Sequence, residues 1–234
     1  QYKTLEDFEY LGMVNEVPMT LIGKPTLPAN NYAELTKWLE ANKGKINLAN
    51  AGLGAASHLC GLLFQQSLKI DMTTVPYKGT APAMTDLLGG QVDIMCDQTT
   101  NTTQQIESGK VKAYAVTTLK PLTTPALAKL PTLDASGLKG FNVSIWHGLY
   151  APKGTPADVL TKLNVALKEA LKDPEFIKRQ EALGAAVVGD DRIQQKTQGR
   201  IDPESFTHGP SEQRRPWPRT ASVSGHVPQC ATFS

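Results

Sequence analysis

The sequence predicts an α/β fold with helices packed on the faces of a parallel sheet. Short apolar runs, typical of buried strands, alternate with segments of helical periodicity along residues 19–117. Glycine, proline or asparagine separates many of these segments and marks the turns between them. Because the strands alternate with helices, we expect them to run parallel and to be covered on both faces.

Local signals place the individual elements. Strands are expected at residues 19–22, 45–50, 73–77, 92–96 and 112–117, and one or two more within 143–151. Four helices are expected between them: one with Asn30 or Asn31 as N-cap, one at 57–66, one from Thr80 as N-cap to Gly89-Gly90, and one at 102–108.

Two further helices are expected near the end of this pattern. Thr155 is the predicted N-cap of the first, with Pro156 at its first position and Asp158 completing a capping box. The pair Asp173-Pro174 ends that helix, and the second runs on to Leu183-Gly184.

Composition argues against several classes of function. The formal charge is only +2 over 234 residues, so we expect no nucleic-acid partner and no attraction to an anionic membrane. No run approaches the ~18 apolar residues of a membrane-spanning helix. No metal-ligand spacing or paired carboxylates emerge, and we expect no metal, no cofactor and no enzyme.

Cysteines and the chain start carry weaker information. Cys60 and Cys96 fall in apolar stretches, where buried, unreactive thiols are expected, and Cys230 lies far from both. The first residues show no signal-peptide pattern, which leaves a cytosolic protein or one whose beginning has been cut away.

The chain changes character after about Asp190. All six arginines lie at Arg179 or later, and no leucine follows Leu183. A segment so poor in aliphatic residues cannot bury enough surface to offset its ordering entropy, so residues 190–234 are expected to be a disordered tail. A sharper hypothesis is that this tail is foreign to the fold, for instance through a shift of reading frame.

A glycine turn at residues 51–58 is the strongest functional signal. Gly52 and Gly54 let the backbone turn sharply between a strand and a helix, and Ala55 and Ala56 leave the first helical amides uncovered. Those amides and the helix dipole favour an anion, to which the hydroxyl of Ser57 can also donate. On these grounds a carboxylate and a phosphate fit equally well.

Other interpretations of this turn are weaker. A dinucleotide fingerprint would need Gly or Ala at Ser57 and an acidic residue at the end of the next strand, whereas Asp71 precedes that strand. A tight turn without any ligand also stays open. His58 follows Ser57 directly, so the two side chains diverge, and capping or hydrogen bonding to a residue that contacts the ligand is the expected role of His58. Trp146, beside His147, lines a cleft or packs in the core.

Several strings in consistent order resemble one family over about residues 1–189. They are NAGLGAASHL at 50–59, GLLF at 61–64, VPYKGTAPA at 75–83, DLLGGQVD at 86–93, DQTT at 97–100, GKVKA at 109–113 and LPTL at 130–133. This set resembles the substrate-binding receptor of tripartite tricarboxylate transporters, the Bug-type periplasmic solute-binding proteins.

The resemblance implies a two-lobed, type II-like periplasmic binding protein with an incomplete first lobe. Residues 1–22 correspond to a remnant of lobe 1, 23–142 to a complete lobe 2, and 143–189 to the return to lobe 1. Family members begin with about eighty further residues, and they lack the atypical tail at 190–234. The implied function is capture of a small carboxylate and its delivery to membrane permease subunits. The resemblance also implies that the protein lies in the periplasm and is a monomer.

The resemblance also implies the ligand-binding residues. They are the turn residues Gly52, Gly54, Ala55, Ala56, Ser57 and His58, then Tyr77 and Lys78, then Asp97, Gln98 and Thr99, and finally Trp146. An aspartate at position 97 suits a ligand hydroxyl, amine or bridging water. The alternatives are a ligand-sensing module of a signalling system and an enzyme that holds a phosphate-bearing cofactor at residues 52–57.

Overall fold

A computed structural model describes residues 3, 4 and 6–188 of the chain. Its strands are β1 (Phe8–Gly23), β2 (Asn47–Asn50), β3 (Thr73–Pro76), β4 (Ile94–Gln98), β5 (Lys112–Val116), β6 (Ser144–Pro152) and β7 (Ala186–Val187). Its helices are α1 (Tyr32–Ala41), α2 (Ala56–Leu68), α3 (Thr80–Leu88), α4 (Thr99–Glu107), α5 (Ala157–Ala170) and α6 (Pro174–Ala182). The predicted tail at 190–234 lies outside the described residues.

The central sheet has the strand order β3-β2-β4-β1-β5. β2 runs parallel to β3 and β4, as the alternation of strands and helices predicts. β1 is antiparallel to β4 and β5, so the sheet is mixed rather than fully parallel. The α/β class is therefore confirmed. β1 is the exception to the parallel arrangement, because no crossover helix joins it to a parallel neighbour.

Helices cover both faces of this sheet. Leu21 packs in one apolar cluster with residues of α1 and α2, including Phe64. Ile22 points the other way and packs with Met84 and Leu87 of α3. This two-residue period is what a strand buried on both faces requires.

β1 is much longer than its predicted core at residues 19–22. Its first part pairs with β6 from Phe8↔Pro152 to Pro18↔Ser144, and its last part pairs with β4 and β5. The sequence analysis missed the first part of β1, which contains polar residues such as Asn15 and Glu16. Its partner strands, β6 and β7, lie far along the sequence. β1 is thus shared between two sets of strands, and the predicted lobe boundaries stay predictions.

The predicted helix starts are correct for some helices and wrong for others. Asn31 caps α1, and its side chain accepts from the backbone N–H of Glu34. Asp173 likewise caps α6 through the N–H of Phe176. Thr80 was expected to be an N-cap but is the first helical residue of α3, after Gly79. Thr155 was also wrong as a cap, because its hydroxyl donates to the carbonyl of Pro152 instead.

Cys60 and Cys96 form a disulfide, which corrects the expectation of free thiols. Cys60 lies on the face of α2 that packs on the sheet, and Cys96 on the matching face of β4. Their Cα atoms are 6.1 Å apart, within the range that a disulfide spans. The sequence could not show this approach, because 36 positions separate the two residues.

The part built on β6, α5 and α6 is the least buried of the described residues. Neither α5 nor α6 contains a buried residue. Trp146 is 52% exposed and Val165 is 51% exposed, which is unusual for large apolar side chains on adjoining elements. Tyr10 and Tyr150 cover part of this surface through an edge-to-face contact at 5.2 Å. This exposure fits the predicted incomplete first lobe.

Thr117, just after β5, connects β1 to the segment that leads into β6. Its buried hydroxyl accepts from the N–H of Met19 at 2.9 Å and lies within hydrogen-bond distance of the carbonyls of Met19 and Val143. Met19 is the residue at which β1 begins to pair with β4. One hydroxyl therefore ties the start of that pairing to the segment leading into β6.

We predict that Thr117→Val lowers the free energy of unfolding by about 1–3 kcal/mol, because the buried N–H of Met19 loses its acceptor. Urea unfolding measures this change. The matched control is Thr118→Val, since the hydroxyl of Thr118 donates to Lys120 near the surface and should change stability by less than about 0.5 kcal/mol. Equal losses for the two variants would contradict the role of Thr117.

Candidate functional site

The predicted site residues collect at one edge of the sheet. β2, β3 and β4 are mutually parallel, with Asn50 in register with Pro76 and Ala49 with Met95. The loops after these strands therefore leave from the same edge, where ligands of open α/β sheets bind. The glycine turn follows β2, the segment containing Tyr77 follows β3, and Asp97 lies near the end of β4.

Glycine is required at two positions of the turn. Gly52 has φ 129°, and a Cβ there would lie 3.1 Å from the backbone oxygen of Tyr77. Gly54 has φ 80°, but a Cβ there would meet nothing within 4 Å. Gly52 thus combines an unusual backbone conformation with close approach to the loop after β3. The N–H of Gly79 completes that approach by donating to the carbonyl of Ala51.

Side chains hold the turn by accepting from its amides. The pairs are Gly52 N–H to Asn50 Oδ1 at 2.9 Å, Ala51 N–H to Ser57 Oγ at 2.9 Å and Gly54 N–H to His58 Nδ1 at 3.1 Å. The N–H of Ala55 donates to the carbonyl of Gly52. The turn is therefore fixed by its own hydrogen bonds. In particular, His58 caps it.

Apart from the N–H of the exposed Leu53, the amides left over are those of the first turn of α2. Ala55 is the N-cap and contributes no side-chain hydrogen bond. Among the described residues, no acceptor pairs with the N–H groups of Ala56, Ser57 and His58. Three aligned donors at the positive end of a helix form an anion site. The free donors thus lie slightly further along the chain than Gly52, Gly54 and Ala55, whose amides the turn uses internally.

Asn50 is a residue of this edge that the sequence analysis did not single out. It is 1% exposed, and its Nδ2 has no hydrogen-bond partner among the described residues. A buried amide donor without a partner is costly, so an acceptor from outside the chain would relieve it. A polar residue at the carboxyl end of a strand, just before a glycine turn, was the signal that could have found it.

Tyr77 and Lys78 follow β3 but differ in what they offer. The hydroxyl of Tyr77 donates to Oδ2 of Asp86 at 2.7 Å. Burial, and then the hydrogen bond and charge of Asp86, raise the pKa of Tyr77 to about 12. That hydroxyl is already engaged with α3. Lys78 is exposed and forms no ion pair with any described carboxylate.

Asp97 is 1% exposed and belongs to a small polar network. Nδ2 of Asn101 donates to its Oδ2 at 3.3 Å, and the backbone of Gln98 and the side chain of Thr80 also contact it. Burial raises the pKa of Asp97 above its ordinary value, although these hydrogen bonds oppose the shift. No described Lys or Arg pairs with this carboxylate. The sequence analysis missed Thr80 as a member of the site because its position is typical of a helix cap. It also missed Asn101.

Three predicted residues lie differently. Gln98 is half-buried at the end of β4. Thr99 is fully buried, and a Cβ built on Gly184 would lie 3.2 Å from its Oγ1, so Thr99 faces the loop between α6 and β7. Trp146 lies on β6 opposite Glu16, in the part of β1 that does not pair with β4. Thr99 therefore follows the edge where β4 ends but turns its side chain to another loop, and Trp146 lies in a different part of the sheet.

A depression of about 490 Å³ adjoins the network between α3 and α4. Its lining residues are Thr80, Ala81, Met84, Thr85, Leu88, Asn101 and Gln105. Within the described part of the chain, no cluster of His, Cys, Asp and Glu could hold a metal ion. Nor does any helix there have the length and apolar character needed to cross a membrane.

The sequence profile of the tripartite tricarboxylate transporter family receptor matches residues 1–204. This chain belongs to that receptor family. A protein of Agrobacterium vitis, the UPF0065 protein in the TAR-I ttuE-ttuC' intergenic region, is 49% identical over 190 residues, which is 81% of this chain and 54% of that protein. The receptor chain thus spans about half the length of this curated relative. The resemblance seen in the sequence is confirmed.

Solved structures agree with the fold of the receptor. The periplasmic binding protein BugD is 57% identical with a TM-score of 0.76, over 80% of this chain and 62% of that one. MatC from Rhodopseudomonas palustris, solved with bound malate, is 37% identical with a TM-score of 0.75, over 83% of this chain and 64% of that one. The periplasmic-binding-protein fold is confirmed.

A second kind of relative matches only a small part of the receptor chain. The uncharacterized protein YpfJ of Escherichia coli K12 is 54% identical over 55 residues, which is 23% of this chain and 19% of that protein. The hypothesis of a foreign tail stays a prediction.

We predict that Gly52→Ala destabilises the receptor by about 2–4 kcal/mol and Gly54→Ala by only about 1 kcal/mol. Both substitutions force an alanine to positive φ, but only the Cβ at position 52 also meets the backbone of the loop after β3. Urea unfolding of the two variants is the measurement. Equal losses would show that the approach of the two loops is looser than the structure indicates.

We predict that Asp97→Asn stabilises the ligand-free receptor by about 1–3 kcal/mol at pH 7. A raised pKa means that folding favours the protonated carboxyl, so stability from this group falls as pH rises from the ordinary value towards the raised one. The gain should therefore shrink as pH falls from the raised pKa towards the ordinary value of 3.8, and it should be absent below that value, where the carboxyl is protonated in both the folded and the unfolded state. Unfolding curves from pH 3.5 to 8 measure it.

The control for that series is Asp71→Asn. Asp71 is exposed, and its replacement should change stability by less than about 0.5 kcal/mol at neutral pH. An Asp97→Asn variant that is less stable than the parent at pH 7 would show that the hydrogen bonds of this carboxylate outweigh its burial.

Proposed function

We propose that the chain forms the carboxylate-binding part of an extracytoplasmic solute receptor, which captures a small carboxylate in a cleft and delivers it to a membrane permease. One observation carries the proposal. The N-terminus of α2 presents three amides, for which the described residues offer no acceptor, at the edge where β2, β3 and β4 end. A carboxylate placed there accepts charge-assisted hydrogen bonds and meets the helix dipole.

Two neighbouring groups add recognition. Nδ2 of Asn50 needs an acceptor, which a carboxylate oxygen supplies. Asp97 already accepts from the backbone of Gln98 and the side chains of Asn101 and Thr80, and a hydroxyl, an amine or a bridging water would add a further donor. The related receptor MatC was solved with malate, a dicarboxylate that carries a hydroxyl group. We propose a small carboxylate of this kind, with its carboxylate on the amides of Ala56, Ser57 and His58 and its hydroxyl towards Asp97.

Closure of a second wall completes the proposed mechanism. The chain covers 62–64% of the solved relatives' length, and the remainder of a whole receptor would supply the opposite wall. Trp146, on β6, belongs to the part of the fold that would carry that wall. Ligand binding then shifts the population towards the closed arrangement. We propose that Lys78, Gln98 and Thr99 contact the ligand in this closed state.

The periplasm is the proposed compartment. The relative BugD is a periplasmic binding protein, and a buried disulfide such as Cys60–Cys96 persists in oxidising compartments. The proposed partner is the permease of a tripartite transporter, and the receptor acts as a monomer. The family consists of receptors rather than enzymes.

The proposal predicts that Ala56→Pro weakens binding of malate by about 10- to 100-fold without a large loss of stability. Proline removes one of the three donor amides, worth about 1.5–3 kcal/mol to a charged acceptor. It is tolerated at the first position of a helix. Ala55 already has ψ 157°, the conformation that a following proline requires. Calorimetric titration of malate measures the change.

The matched control is Ala157→Pro, at the first position of α5. The preceding Pro156 has ψ 141°, so the same substitution is equally compatible there. Malate affinity should be unchanged in this variant. A parent chain that binds inorganic phosphate or a nucleotide but no malate, succinate or related carboxylate would overturn the proposed function.

A further inference from the structure

We infer that the Cys60–Cys96 disulfide positions the two halves of the ligand site and so sets which carboxylates the receptor discriminates. The bond joins α2, which supplies the amide donors, to β4, which supplies Asp97. This inference rests on the proposed function. It assigns the two cysteines a role in recognition beyond holding the core together.

The cross-link acts close to the donors on the side of α2. Cys60 lies four residues after Ala56, about one helical turn from the free amides. The helix starts without a side-chain cap, and uncapped helix ends fray. A covalent bond one turn inside the helix limits how far that first turn can unwind or slide along the sheet.

On the side of β4 the cross-link reaches the acceptor through the backbone, because Cys96 packs on the face that α2 covers and the next residue, Asp97, points to the other face. Cys96 directly precedes Asp97, and β1 fixes both through the pairs Leu21↔Cys96 and Thr20↔Asp97. Cys60 and Cys96 are 0% and 1% exposed, so the bond lies inside the core. Donor and acceptor are thus connected through a short, fully packed path.

Packing next to the disulfide also fixes the position of α2 on the sheet. A Cβ on Gly61, the residue after Cys60, would lie 2.9 Å from Cδ2 of Leu48 in β2. The absence of a side chain at Gly61 lets the helix approach β2 closely, while the disulfide ties it to β4. The helix start is therefore held against two adjacent strands.

A fixed separation matters for a ligand that uses both groups. Malate places a hydroxyl next to one of its carboxylates, so it can engage the α2 amides and Asp97 together. Succinate has the same two carboxylates without the hydroxyl and cannot donate to Asp97. A site whose donor and acceptor are pre-organised gains more for the two-point ligand. The disulfide should then contribute to preference for malate over succinate.

The test compares the oxidised full chain with Cys60→Ala/Cys96→Ala. Dissociation constants for malate and succinate are measured by calorimetry at a temperature at which both proteins are fully folded. Malate affinity should fall about tenfold and succinate affinity less than about threefold. The control is Leu39→Ala, which removes a fully buried side chain of α1, lowers stability and should leave both affinities unchanged.

A second readout needs no ligand. Hydrogen exchange of the amides at residues 51–59 should be faster in the double variant than in Leu39→Ala, relative to exchange in α1 of each protein. Equal exchange in the two variants, or an equal loss of affinity for both ligands, overturns the inference and leaves the bond a stabilising link alone. An oxidised chain that binds neither ligand overturns the proposed function instead, and the exchange readout still decides the role of the bond.

Discussion

The parallel pairing of β2 with β3 and β4 is the constraint on which the candidate site depends. Parallel strands deliver their carboxyl ends to one edge, so residues that are distant in sequence arrive there together: Asn50, Tyr77 and Asp97. Close approach of the first two loops then requires Gly52, whose backbone faces the carbonyl of Tyr77. That approach fixes where α2 begins, and the start of α2 determines which amides point outward.

Two opposite electrostatic preferences meet at this edge. The first turn of α2 attracts negative charge through its amides and dipole. Asp97 is a buried carboxyl without a cationic partner among the described residues, and it favours a hydrogen-bond donor. A phosphate dianion would satisfy the amides but would add repulsion at Asp97. A carboxylate that carries a hydroxyl or an amine satisfies both groups. In the proposed site, this balance would favour such a carboxylate over phosphate, the two anions that the glycine turn alone left equal.

The sequence predicted what depends on neighbours along the chain. The alternation of strands and helices, the cap at Asn31 and the turn at Gly52 all follow from local conformational preferences. It failed where a distant partner decides the outcome. Thr80 reads as a cap, but its side chain faces Asp97, which comes from another strand. Among the turn residues predicted as donors, Gly52, Gly54 and Ala55 use their amides within the turn itself, and only the three-dimensional hydrogen bonding shows this.

The described half of the site is built to stay rigid, which places any closing motion elsewhere. Residues of α2 and β4 are joined covalently, and hydrogen bonds within the turn between β2 and α2 hold four of its amides. β1, by contrast, leaves the central sheet at Met19, where the hydroxyl of Thr117 connects it to the segment entering β6. Few-residue junctions of this kind absorb rigid-body rotations. In the proposed mechanism, ligand selection and lobe movement would therefore belong to different parts of the chain.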